Sequence, residues 1–140
     1  NSKRHITANN LAKYNLKYAT IIHPTALIRK SSEIHSGCII FPYVTIGIEA
    51  IIRSHVILNT SSCIGHDCLI SKFCNISPGA IVSGNCVLDQ GVYIGSNSVL
   101  HQGVKFGEWS VLSPNSYAAR NFGSKKIVSS GLAKTIIAKN

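Results

Sequence analysis

A repeat of six residues is the feature that most constrains this 140-residue chain. An aliphatic residue or phenylalanine recurs at every sixth position, without an insertion, from Ile22 to Leu112. The sixteen positions are Ile22, Ile28, Ile34, Ile40, Ile46, Ile52, Leu58, Ile64, Ile70, Ile76, Val82, Leu88, Ile94, Leu100, Phe106 and Leu112. A short fixed period predicts a solenoid, and a period of six predicts a parallel β-helix.

A second column of small residues lies four positions after each of these core positions. Its members are Ala26, Ser32, Cys38, Val44, Ala50, Val56, Ser62, Cys68, Cys74, Ala80, Cys86, Val92, Ser98, Val104, Ser110 and Ser116. Glycine, asparagine and proline fall between the two columns, and these residues suit tight corners. Each hexad is therefore predicted to be a short strand plus a corner, and three hexads would close one triangular coil of 18 residues.

The repeat divides the chain into three segments. Residues 1–20 do not keep the period, and we predict a short N-terminal helix there. Residues 21–117 are predicted to form the hexapeptide-repeat β-helix, an all-β triangular prism. Residues 118–140 are predicted to form an irregular last coil and a basic C-terminal tail.

The charge balance restricts the partners that the chain can have. The formal net charge is +9, which suits nucleic acid, an anionic membrane or a phosphorylated small molecule. There is no nucleic-acid motif, no run of 18 apolar residues and no apolar segment of a signal peptide. We therefore predict a phosphorylated ligand, with no nucleic acid and no membrane insertion, and leave solvated basic tails without a ligand as the alternative.

The five cysteines are predicted to be packing residues. Four of them occupy the small-residue column, and Cys63 directly precedes a core position. Free cysteine behaves as a small buried hydrophobe, and no zinc-type pair of cysteines occurs. We predict reduced thiols, a cytoplasmic location and no metal, with a metal or redox role as the alternative.

His66 and Asp67 form the dipeptide best suited to chemistry. Imidazole titrates near neutrality and suits a general base, and the adjacent carboxylate can orient it. Neighbouring strand residues point to opposite faces, but at a corner both side chains can face outward. Residues 18 apart stack, so Gly84 is predicted to lie beside His66 and to leave space there. The alternative is that His66 is an ordinary solvated corner residue.

Three segments, IIHPTALI, ILNTSSCIGHDCLI and NISPGAIVSGN, resemble the left-handed β-helix acyltransferases. Within that family they resemble the bacterial sugar acetyltransferases that N-acetylate amino-sugar nucleotides, together with their sialic-acid O-acetyltransferase relatives. The resemblance covers residues 1 to about 135. It implies a left-handed coil, whereas the period alone does not give the hand and parallel crossovers are right-handed in about 98% of cases.

The resemblance also implies acetyl-CoA as co-substrate, a homotrimer, and sites in clefts between neighbouring prisms. The general base of the family falls on His66, with Asp67 beside it. The positions implied to contact substrate and cofactor are Asn59, Asn75, Gly84, Ser96 and Lys134. Asn75 stands where relatives carry a second histidine. Because nine residues are half a coil, Asn75 and His66 can serve one site only if a neighbouring subunit supplies one of them.

The sequence departs from the family at the cofactor end. Residues 113–116 replace a glycine-rich run, and residues 130–134 replace a Gly-x-Pro-Ala-Lys motif. Lys125, Lys126 and Lys134 are candidates for the CoA phosphates, or are simply solvated. Relatives carry an N-terminal Rossmann-like domain for the sugar nucleotide, so residues 1–20 are either a helical segment or the remnant of such a domain.

These observations predict an acetyl-CoA-dependent acetyltransferase that acts on an amino group of a nucleotide-linked sugar in bacterial surface glycan synthesis. One alternative is an O-acetyltransferase for a sialic-acid-like sugar, and another is a catalytically degenerate trimeric β-helix scaffold. A zinc lyase of the γ-carbonic anhydrase type needs a His-x4-His pair, and the six histidines contain none.

Overall fold

The computed structural model describes residues 2–130. It begins with helix α1 (Ser2–Leu11) and a 3-10 turn (Ala12–Tyr14), and strands of two residues follow. The first nine strands are β1 (Ile21–Ile22), β2 (Leu27–Ile28), β3 (Glu33–Ile34), β4 (Ile39–Ile40), β5 (Thr45–Ile46), β6 (Ile51–Ile52), β7 (Ile57–Leu58), β8 (Cys63–Ile64) and β9 (Leu69–Ile70). The next nine are β10 (Asn75–Ile76), β11 (Ile81–Val82), β12 (Val87–Leu88), β13 (Tyr93–Ile94), β14 (Val99–Leu100), β15 (Lys105–Phe106), β16 (Val111–Leu112), β17 (Tyr117–Ala118) and β18 (Ile127–Val128).

These strands form three parallel sheets, because each strand pairs with the third strand before and after it. The sheets have seven strands (β1-β4-β7-β10-β13-β16-β18), six strands (β2-β5-β8-β11-β14-β17) and five strands (β3-β6-β9-β12-β15). The register is 18 residues per coil, as in the pairing of Asn75 with Tyr93. The predicted left-handed parallel β-helix with a short N-terminal helix is confirmed.

The core of the prism is the aliphatic column that the repeat predicts. The second residue of each strand points inward, and from Ile40 to Leu112 every one of these side chains is at most 1% exposed. Burial of such a side chain contributes about 1.5–3 kcal/mol. Ile22 is 43% exposed because the first coil has a neighbouring coil on one side only.

The corners use glycine in two different ways. Positive φ falls three residues after the core residue, where glycine occurs at Gly79 (φ 66°) and aspartate at Asp67 (φ 56°). Glycines directly after the core residue, such as Gly65, do not have positive φ. The need for a left-handed backbone therefore does not explain why glycine occurs at these positions. A Cβ on Gly65 would lie 2.5 Å from the nitrogen of Gly84 in the next coil, so close packing requires glycine there.

The last coil is two residues shorter than the others. Phe122 bridges to Phe106, and β18 pairs with β16 at an offset of 16 residues instead of 18. The Phe106 and Phe122 rings pack with their centroids 5.2 Å apart, which closes this end of the core. Residues 131–140, which contain most of the predicted basic tail, lie outside the described residues.

Helix α1 packs against the edge between the five-stranded and seven-stranded sheets. The guanidinium of Arg4 donates to the backbone oxygens of His55 (2.7 Å) and Phe73 (3.3 Å). The His5 ring lies between the rings of Phe73 and Trp109, with centroid distances of 4.9 and 5.3 Å. The helix therefore docks through polar and aromatic contacts, which explains why its sequence has no apolar stripe.

Candidate active site

His66 and Asp67 lie together at the corner between β8 and β9, where the six-stranded and five-stranded sheets meet. Nδ1 of His66 donates to Oδ2 of Asp67 over 2.6 Å, and both side chains are 49% exposed. The left-handed backbone of Asp67 belongs to the corner, and aspartate tolerates that conformation. Both side chains consequently face outward from the same corner.

This arrangement determines which nitrogen of His66 is available to accept a proton. When Nδ1–H donates to a carboxylate, Nε2 carries the free lone pair and is the nitrogen that can accept a proton. The pair can therefore act as an oriented general base.

The Nε2 side of the imidazole faces Gly84, as the 18-residue stacking predicts. A Cβ on Gly84 would overlap Nε2 and would lie 2.7 Å from Cε1 and 2.8 Å from Cδ2 of His66. The N–H of Asn85 donates to the backbone oxygen of His66 over 2.8 Å, which ties the two coils together at this corner. The absence of a side chain at residue 84 is therefore what leaves room for the ring.

The backbone N–H of Gly84 is available beside this ring. Among residues 2–130, this N–H makes no hydrogen bond, whereas the N–H of Asn85 and that of Gly103 both donate to backbone oxygens. A free N–H next to a general base can stabilise negative charge that develops on a carbonyl oxygen.

The remaining predicted contacts lie elsewhere on the prism. Asn59 directly follows β7 of the seven-stranded sheet, and its Nδ2 donates to the backbone oxygen of Ile76 over 3.0 Å. Asn75 lies in β10 of the same sheet, and Ser96 lies at the corner after β13. This sheet is opposite the His66 corner, so one chain does not bring these residues to the imidazole. Lys134 lies outside the described residues.

The cysteines have the positions that packing requires. Cys38, Cys68, Cys74 and Cys86 are buried free thiols, and Cys63 is half-buried on the outside of the six-stranded sheet. Burial raises the pKa of the Cys74 thiol to about 12. Within residues 2–130, no group of three or more His, Cys, Asp or Glu side chains could hold a metal ion. The same residues contain no helix long and apolar enough to span a bilayer.

Helix α1 and the prism form a second recess, which the sequence analysis did not predict. This cavity has a volume of about 340 Å³, and Arg4, Leu11, Tyr18 and His55 are among its lining residues. Tyr18 packs edge-on against the His55 ring at 4.6 Å. Because α1 has no apolar stripe, the only sequence signal for this contact was the pair of basic residues, Arg4 and His5, inside a predicted helix.

Residues 19–137 match the family model described as the GMPPB C-terminal domain, which is most of the chain. The chain belongs to this family. Its β-helix also matches solved structures of sugar N-acetyltransferases over nearly its whole length, so the resemblance predicted from the sequence is confirmed.

Three solved structures illustrate this likeness. The acetyltransferase domain of PglB from Neisseria gonorrhoeae FA1090, in complex with acetyl coenzyme A, is 28% identical, with a TM-score of 0.85 over 95% of this chain and 64% of that chain. PerB from Caulobacter crescentus, in complex with CoA and GDP-perosamine, is 19% identical, with a TM-score of 0.89 over 92% of this chain and 62% of that chain. WeeI from Acinetobacter baumannii AYE is 20% identical, with a TM-score of 0.87 over 91% of this chain and 63% of that chain. The chain thus spans less than two thirds of the length of each.

Proposed function

We propose that this chain is an acetyl-CoA-dependent acetyltransferase acting on an amino group of a nucleotide-linked sugar, with His66 as the general base. The observation that carries the proposal is the His66–Asp67 pair, whose Nε2 lies beside the backbone of Gly84. The likeness to the PglB domain, which was solved with acetyl coenzyme A, supports the donor. PerB was solved with CoA and GDP-perosamine, which supports a sugar nucleotide as the acceptor.

The proposed reaction uses these groups in sequence. The acceptor amine attacks the thioester carbonyl carbon, and Nε2 of His66 takes a proton from the nitrogen as the C–N bond forms. The N–H of Gly84 stabilises the oxyanion of the tetrahedral intermediate. The C–S bond then breaks, and the proton on His66 passes to the departing thiolate. The products are the N-acetylated sugar nucleotide and CoA.

A homotrimer is part of the proposal because the remaining contacts lie on the opposite side of the prism. Asn59, Asn75 and Ser96 can reach an acetyl-CoA molecule bound near His66 only from a neighbouring copy. The outer face of the six-stranded sheet supports association, because Leu27, Ile81 and Tyr117 along it are 48%, 42% and 56% exposed. Exposed apolar patches of this kind mark protein interfaces. Lys134 is proposed to contact the cofactor as well.

The cellular setting is also proposed. Free buried thiols, as at Cys68 and Cys86, suit the reducing cytoplasm, where nucleotide-activated sugars would be modified for bacterial surface glycans. Acetyl-CoA is the co-substrate in this proposal, and no step requires a metal.

The test is an assay of CoA thiol release with acetyl-CoA and a panel of UDP- and GDP-linked amino sugars. Each acceptor is paired with an analogue that carries a hydroxyl in place of the amine, which separates N- from O-acetylation. We expect activity on an amino sugar and a loss of roughly 10²–10⁴-fold in His66→Ala. His23→Ala is the matched control, because His23 is an exposed histidine whose Nδ1 bonds to the hydroxyl of Thr25. Activity retained in His66→Ala, or lost equally in both variants, would contradict the proposed base.

A further inference from the structure

The small-residue column carries an internal ladder of hydrogen bonds. Five thiols or hydroxyls of this column each donate to a backbone oxygen 15 residues later. The pairs are Cys38 to Arg53 (3.1 Å), Cys68 to Ser83 (3.1 Å), Cys74 to Asp89 (3.1 Å), Cys86 to His101 (3.2 Å) and Ser98 to Ser113 (2.7 Å). Ser110 donates to Gly123 (2.9 Å), 13 residues later, because the last coil is two residues shorter. Cysteine thiols and serine hydroxyls therefore make equivalent hydrogen bonds in this ladder.

One bond of the ladder lies directly behind the candidate active site. Cys68 follows the His66–Asp67 pair, and its Sγ donates to the backbone oxygen of Ser83, the residue before Gly84. Within residues 2–130, this thiol is the one hydrogen-bond donor to that oxygen. A hydrogen-bonding contact with the Cys86 thiol, and then burial, raise the pKa of Cys68, so its thiol keeps the proton that it donates.

The bond sets the orientation of the peptide between Ser83 and Gly84. In a trans peptide the C=O and the N–H point in opposite directions. Because the oxygen of Ser83 is held toward the buried thiol, the N–H of Gly84 points outward, on the side where His66 lies. Gly65 supports the same peptide from below, since a Cβ there would be 2.5 Å from the nitrogen of Gly84 and 2.7 Å from the carbonyl carbon of Ser83.

We propose that Cys68 is a positioning residue of the candidate active site, whose buried thiol holds the Ser83–Gly84 peptide so that the Gly84 N–H faces the imidazole of His66. The catalytic consequence rests on the proposed acetyltransferase function, but the structural consequence does not. Cys68 acts through the peptide and touches no reacting atom.

The chain provides a matched set of variants for the test. Cys68→Ala removes the donor, and Cys68→Ser restores one in the form that Ser98 and Ser110 already use. Cys74→Ala is the control, because Cys74 is as buried as Cys68 and makes a ladder bond of the same length at the next corner, between the five-stranded and seven-stranded sheets. We expect kcat to fall roughly tenfold in Cys68→Ala, less than the 10²-fold associated with a full ångström of misplacement. We expect KM for acetyl-CoA to stay within about twofold, and Cys68→Ser and Cys74→Ala to keep their kcat.

A second measurement is independent of activity. The ¹H–¹⁵N resonance of the Gly84 amide and the ring resonances of His66 should shift in Cys68→Ala and return in Cys68→Ser, while Cys74→Ala leaves them in place. Unshifted resonances in Cys68→Ala would overturn the proposal, and so would an equal fall of kcat in Cys74→Ala. If the unmodified chain transfers no acetyl group, the proposed function fails, and the Gly84 and His66 resonances still decide whether Cys68 positions this peptide.

Discussion

Substitution of Gly84 by alanine should reduce the catalytic rate strongly while leaving the protein folded. Gly84 does not have positive φ, so alanine introduces no backbone strain there. The new methyl group instead overlaps Nε2 of His66 and lies 2.7 and 2.8 Å from two ring carbons. The imidazole must turn away, and because the His66 side chain is 49% exposed it has solvent to turn into.

The expected loss of stability is small, whereas the expected loss of kcat is large. Turning the ring costs the hydrogen bond to Asp67 and a favourable rotamer, which together amount to about 1–2 kcal/mol of stability. For a chain of this size, that corresponds to a fall in Tm of about 2–8 °C. A catalytic group displaced by about 1 Å costs about 10²-fold in rate. We therefore expect kcat to fall by about 10² in a protein that is still folded.

The assay is thiol release for kcat, with thermal unfolding followed by circular dichroism for stability. Gly123→Ala is the control, because a Cβ on Gly123 would meet no atom within 4 Å and its φ is not positive. Full kcat in a folded Gly84→Ala variant would refute the argument that the reacting side of His66 faces Gly84.

Four further outcomes follow from the structure. Arg4→Gln removes bonds from α1 to the prism, so the fluorescence of Trp109, which the helix covers through His5, should shift to the red while the β-helix signal in circular dichroism is kept. Burial, followed by the charge of Arg4, lowers the pKa of His55, so helix docking should be fully present above about pH 6.5 and be lost as the pH falls through that lowered value, which a titration of Trp109 fluorescence would detect. Ile76→Ala should cost about 2–5 kcal/mol in denaturant unfolding, because Ile76 is fully buried in the stacked core. Ser62→Ala should raise stability by roughly 1 kcal/mol in the same experiment, because the buried hydroxyl of Ser62 has no hydrogen-bond partner among the described residues.

The sequence predicted the parts of this molecule that depend on the period. Once the core positions from Ile22 to Leu112 are aligned, an 18-residue coil places Gly84 above His66 and Asn75 on the opposite sheet, and both placements are found. Such inferences succeed because a solenoid repeats one local geometry, so spacing along the chain translates directly into position in space.

The features that the sequence did not predict are those that break the period or leave no pattern. Helix α1 docks through Arg4 and His5, and neither residue belongs to an apolar stripe. The shortening of the last coil places Phe122 in the core two residues early. The hydrogen bond from Cys68 to the backbone oxygen of Ser83 was not predicted either, because the sequence does not distinguish a hydrogen-bonding cysteine in the small-residue column from one that only packs.

Calorimetric titration of acetyl-CoA into the purified chain, alongside a His66→Ala variant, tests the proposed function most directly. The chain by itself should bind acetyl-CoA with micromolar affinity and a stoichiometry close to one site per chain. Because His66 is proposed as a base and not as an anchor, the variant should bind equally well while losing acetyl transfer. Absence of binding at millimolar acetyl-CoA would contradict the acetyltransferase proposal for this chain and would favour a β-helix scaffold.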